Sequence, residues 1–106
     1  MTNHKTIIDK IKKKIVASVR PQQIILFGSM ANDTPSKDSD IDLLIVKESN
    51  VRRDKRDREI RKVLKDIIYP MDIFVYTPKE VSQFKDQPGS FLKKIIDTGK
   101  VLYERN

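Results

Sequence analysis

The chain has 106 residues, enough for one domain around a single modest core and too few for two. It contains no cysteine, which excludes disulfides and thiolate zinc sites and gives no sign of an oxidising compartment. Its 22 Lys and Arg against 15 Asp and Glu leave a formal charge of +7, a balance that favours polyanions or acidic protein surfaces as partners without choosing between them.

No apolar run approaches the length of a membrane span, and the opening Met1-Thr2-Asn3-His4-Lys5 is unlike a signal peptide, so a cytoplasmic protein with no membrane partner is expected. From Thr6 to Val19, Ile7, Ile8, Ile11, Ile15 and Val19 recur at helical spacing with lysines between them, and Pro21 ends that helix. Ile24 to Phe27 reads as a short buried strand stopped by Gly28. Residues 29–39 are small, polar and turn-prone, with Ser29 placed to cap a short helix. Ile41 to Val46 is apolar on both faces and is expected to be a central strand.

Arg52 to Ile68 reads as one long helix, nearly all charged in its first half. Ile60, Val63, Leu64, Ile67 and Ile68 form its apolar face. Met71 to Tyr76 is a third strand. Thr77-Pro78-Lys79-Glu80 has the N-cap threonine, first-turn proline and third-position glutamate of a capping box. A last amphipathic helix runs from Ser90 to a stop at Gly99, and Val101 to Tyr103 is a short closing strand. The expected fold is α/β: a single small domain, residues 1–106, with a mixed sheet flanked by helices.

Connection lengths then constrain the topology. The helix after the second strand crosses to the third and favours a parallel pair, while the shorter link from Phe27 to Asp40 allows the first strand to run antiparallel to the second. The end of the first strand and the starts of the second and third then share one sheet edge. Gly28, Ser29, Asp40, Asp42 and Asp72 converge there.

Asp40 and Asp42, two apart in extended chain, lie on one side with Cα atoms roughly 6.5 Å apart. Three crowded carboxylates repel one another, and a divalent cation relieves this. Magnesium takes one or two carboxylates together with substrate phosphates, and two such ions can stabilise the attacking and leaving oxygens of a phosphoryl displacement. Gly28 lets a phosphate approach the backbone, and the Ser29 hydroxyl can grip it. Gly-Ser alone is a common turn, and a lone Asp-x-Asp is usually a polar loop. Their combination at the ends of three successive strands points to a metal–nucleotide site.

Leu26-Phe27-Gly28-Ser29, Ser39-Asp40-Ile41-Asp42-Leu43-Leu44, Met71-Asp72-Ile73 and the close from Ser90-Phe91-Leu92 to Gly99-Lys100-Val101-Leu102-Tyr103-Glu104 together resemble the minimal nucleotidyltransferases (MNT) of the DNA polymerase beta superfamily. The resemblance implies that Asp40, Asp42 and Asp72 are catalytic and bind magnesium (two ions), and that Gly28 and Ser29 hold the triphosphate of ATP. It also implies a HEPN-domain toxin as partner, with AMP passed from ATP to a tyrosine of that toxin and the chain acting as its antitoxin. Where many relatives carry arginine and glycine after Gly-Ser, this chain reads Met30-Ala31-Asn32-Asp33.

Two alternatives stand beside this reading. One is an antitoxin that masks its toxin without catalysis. The other is a transferase or binder acting on RNA, suggested by Arg52, Arg53, Lys55, Arg56 and Arg58. The interleaved Asp54, Asp57 and Glu59 make a solvated helix face with local ion pairs the better account of that run, and the sequence offers no evident aromatic platform for bases. His4 is expected in a frayed terminus with no second imidazole to share a metal. Tyr69, Tyr76 and Tyr103 are expected to flank strands, and Met30 is a candidate contact for base or ribose.

Overall fold

Ile41–Val46, apolar on both faces, becomes an inner strand of a four-stranded sheet, as its composition requires. The computed structural model describes residues 4–31 and 40–105. In chain order the elements are α1 (His4–Val19), β1 (Gln23–Phe27), a 3-10 turn (Gly28–Ala31), β2 (Ile41–Val46), α2 (Asp57–Val63), β3 (Met71–Tyr76), α3 (Pro78–Phe84), α4 (Phe91–Thr98) and β4 (Lys100–Glu104). The sheet order is β3-β2-β1-β4, with β2 parallel to β3, and β1 antiparallel to both β2 and β4. The small α/β domain with a mixed sheet and flanking helices is the expected fold.

Strand alternation divides the core in two. On one face Ile24, Leu26, Ile41, Leu43, Ile45, Ile73 and Val75 pack with Ile11 and Ile15 of α1 and with Ile60 and Leu64. On the other, Ile25, Leu44 and Val46 meet Leu92 and Ile95 of α4, with Val81 and Phe84 of α3 alongside. The acids at 42 and 72 belong to this second face, in step with Leu44, Val46, Phe74 and Tyr76. Among the described residues no helix is long and apolar enough to cross a membrane.

The expected long helix at 52–68 is shorter. Arg53–Lys55 forms a 3-10 turn and the helix proper is the seven residues Asp57–Val63. Its charged first half has little apolar surface to bury, and helices are held mostly by such burial. Arg56, at the N-cap, makes no side-chain cap and instead reaches across to Val51 O, Val75 O and Glu80. Because the helix stops, Ile68 leaves the apolar face and stands 99% exposed.

The α3 capping box forms as expected: the Glu80 N–H donates to Thr77 Oγ1 at 3.2 Å, and the Thr77 N–H donates to Glu80 Oε1 at 2.8 Å. Gly99 ends α4, but by a different device. Its φ of −80° is open to any residue, and what requires glycine is space: an added Cβ would lie 2.5 Å from Ile95 O and 2.6 Å from Ile25 Cγ2. His4, expected in a frayed end, begins α1 and meets the Tyr69 ring edge-on at 5.9 Å.

Candidate functional site

Backbone pairing sets the site. Phe27 of β1 lies opposite Asp42 of β2, and Asp42 lies beside Asp72 of β3, so the end of one strand and the starts of two others form a single row. Gly28 follows Phe27 with φ of +75°, a conformation that favours glycine, and turns the chain into the short 3-10 segment. A side chain there is also excluded by contact, because a Cβ on Gly28 would overlap Asp42 Oδ2. Backbone and carboxylate are thus in close approach.

Asp40 stands exposed just before β2, Asp42 is half-buried, and Asp72 is exposed. Asp42 is raised from the ordinary 3.8 to about 6. Burial contributes most, followed by the charge of Asp72, a hydrogen bond shared with Asp72, and the charge of Asp40. The two carboxyls that touch are therefore Asp42 and Asp72, with Asp40 acting on Asp42 through its charge. Among the described residues no three acid, His or Cys side chains form a group that could hold a metal by themselves. The donors present still suit magnesium, whose sites normally combine one or two protein carboxylates with water and substrate phosphate oxygens. A partly buried carboxylate raised by burial and by its acidic neighbours is the arrangement such an ion relieves.

Gly28 and Ser29 are both exposed beside this row. Met30, taken from sequence as a contact for base or ribose, is instead 6% exposed and packs in the core with α1. Asn32 and Asp33 lie outside the described residues. Next to the acids a cleft of about 420 Å³ is lined by Phe27, Gly28, Asp42, Phe91, Lys94, Ile95 and Thr98. Gly28 and Asp42 thus share one cavity wall, and α4 supplies the opposite one.

An aromatic surface adjoins this cleft, contrary to the sequence expectation. Phe27, Phe74 and Phe91 form a mutual cluster with ring centroids 5.0–6.0 Å apart, and Phe74 and Phe91 remain 38% and 44% exposed. Phe27 and Phe74 were legible as members of the acid-bearing face once strand register was known; Phe91 joins them only through the docking of α4. The basic run also differs in part. Arg52 pairs locally with Asp54 as expected, and Asp57 is paired by Arg61, one turn on and outside that run. Arg53 lies over the Tyr76 ring at 4.9 Å, and Arg56 is taken up by Glu80 at 2.6 Å, 24 residues away.

The family described as Polymerase beta, Nucleotidyltransferase matches residues 9–106. The chain belongs to this family. Among solved structures, a mutant of the toxin–antitoxin MntA–HpeT is similar, with a TM-score of 0.65 and 18% identity over 92% of this chain and 73% of that one. At that identity the likeness concerns the fold, and it is the nucleotidyltransferase fold that β3-β2-β1-β4 and its flanking helices build. Comparison with curated proteins finds no match.

Proposed function

We propose that residues 1–106 form a minimal nucleotidyltransferase domain that transfers AMP from ATP to a tyrosine of a partner HEPN toxin and so acts as its antitoxin in the cytoplasm. The observation that carries the reading is the in-register row of Phe27–Gly28, Asp42 and Asp72 in a chain of this family. The similar solved structure is of a toxin–antitoxin, MntA–HpeT, which supports a toxin as partner.

In this proposal Gly28 and Ser29 receive the triphosphate, Asp40 and Asp42 hold magnesium (two ions, with Asp72 sharing the second), and Asp72 faces the acceptor hydroxyl. Bound magnesium would offset phosphate charge and lower the pKa of the acceptor hydroxyl. The acceptor oxygen bonds to the α-phosphorus, the bond from that phosphorus to the bridging oxygen breaks, and pyrophosphate leaves with the electron pair. The acceptor proton passes to Asp72, the carboxylate that faces it.

Incubation of the purified chain with magnesium, ATP labelled at the α-phosphate and the product of the neighbouring gene as the candidate toxin tests this directly. Label on a toxin tyrosine, abolished by Asp42→Asn or by chelator, is the expected result. Intact toxin binding with no transfer, unchanged by Asp42→Asn, would instead make the chain a masking antitoxin. A second acceptor class, RNA, is favoured by the exposed Phe74–Phe91 surface beside the acids, since exposed rings suit base stacking. Label on an RNA end in the same assay would select it.

A further inference from the structure

Lys94 is, among the described residues, the one cation lining the cleft that contains Gly28 and Asp42. Its place is fixed by α4, whose Leu92 and Ile95 are buried against Ile25 and Leu44, and whose start is capped by Ser90 Oγ accepting from the Lys93 N–H at 3.0 Å. The side chain itself is exposed, and no ion pair engages it among the described residues, although Asp42 lines the same cavity. Its neighbour Lys93 differs in this respect, being held by Asp97 one turn on at 2.7 Å.

The order of the row says which part of a substrate this cation would meet. Asp72 is on β3, Asp42 on β2, and Gly28 at the end of β1, and the cavity that Lys94 lines takes in Gly28 and Asp42 but not Asp72. In an in-line displacement the attacking and leaving oxygens lie on opposite sides of phosphorus. With the acceptor at Asp72, the leaving group falls on the Gly28 side. We propose that Lys94 binds the β- and γ-phosphates of the donor nucleoside triphosphate and stabilises the departing pyrophosphate.

This rests on the donor role assigned to the site under the proposed function. An ammonium on a flexible stem suits the task, since charge builds on the pyrophosphate as the bond from the α-phosphorus to its bridging oxygen breaks and the electron pair moves to it. The segment Gly28–Ala31 offers no cation of its own to do so.

The test is equilibrium binding of ATP, inorganic pyrophosphate and AMP, each with magnesium, to the wild type, Lys94→Ala, Lys94→Arg and Lys93→Ala. Loss of one charge-assisted contact is expected to weaken ATP and pyrophosphate about tenfold in Lys94→Ala. AMP affinity should be almost unchanged, Lys94→Arg should recover most of the loss, and Lys93→Ala should match the wild type. Wild-type ATP affinity in Lys94→Ala, or equal losses for ATP and AMP, would overturn the role of Lys94 while leaving the site's nucleotide function intact. Equal weakening in Lys93→Ala would reduce it to bulk charge. A wild type that binds neither ATP nor pyrophosphate removes the donor site itself, and Lys94's role with it.

Discussion

At the scale of single residues, the tension in the site lies in Asp42. Its carboxyl, at about 6 in the folded chain against an ordinary 3.8, makes the folded state bind more protons than the unfolded one between those values. Stability therefore falls as pH rises through that window. The penalty is complete above about pH 6 and absent below about pH 4. Asp42→Asn removes the charge and keeps a side chain able to hydrogen-bond to Asp72. It should raise the melting temperature of the metal-free protein at pH 8 and have little effect at pH 4. With the partial exposure of Asp42 allowed for, the gain is of order 1 kcal/mol, or about 4–8 °C in a domain of this size. Thermal melts at the two pH values check this, and an unchanged or lower melting temperature at pH 8 would show that crowding costs the fold nothing. Magnesium should raise the wild type more than the Asn variant at pH 8.

At the scale of elements, the strands were legible because each is an apolar run closed by a residue that cannot continue it. Gly28 follows the last residue of β1, and Asp42 and Asp72 are the second residues of β2 and β3, at the sheet edge where the element order placed them. The helix expected at 52–68 was not, because helical spacing in its second half says nothing of whether the charged first half has anything to pack against. Nor could local spacing show that Arg56 would leave its own helix for Glu80.

That pair joins the start of α2 to the capping box of α3, with side chains only 10% and 22% exposed. Burial alone would raise Glu80, but hydrogen bonds from Arg56 and the Thr77 N–H, with the charges of Arg56 and Arg53, more than offset it and hold the carboxyl below its usual value. A depressed carboxylate contributes stability that is present above its unfolded value near 4.5 and lost as pH falls through the lower folded value. Arg56→Ala should thus cost about 1.5–3 kcal/mol at pH 7 and clearly less at pH 3. Urea midpoints at both pH values measure this, and an equal cost at each would assign Arg56 a packing role only.

At the scale of the whole molecule, the two faces of the sheet carry different burdens. The face under α1 and α2 holds the larger core, whereas the acid-bearing face keeps α4 in place with Ile25, Leu44, Val46, Leu92 and Ile95. The position of α4 in turn sets one wall of the cleft, through Phe91, Lys94, Ile95 and Thr98. This coupling was hidden from the sequence, since the α4 spacing reveals an apolar face without saying which side of the sheet receives it. Matched substitutions separate the two faces: Ile45→Val on the α1 side and Ile25→Val beneath α4, both at buried positions outside the cleft. Each deletes one methyl and should cost about 0.5–1.5 kcal/mol in denaturant unfolding. Only Ile25, which packs in one cluster with Leu92 and Ile95 of α4, should transmit its cavity to the α4 wall of the cleft. In the transfer assay of the proposed function, Ile25→Val should raise the KM for ATP about twofold or more at equal loss of stability, while Ile45→Val leaves it unchanged. Parallel KM changes in the two variants would mean that the cleft responds to global stability alone, and that α4 is not held in place by this face in particular.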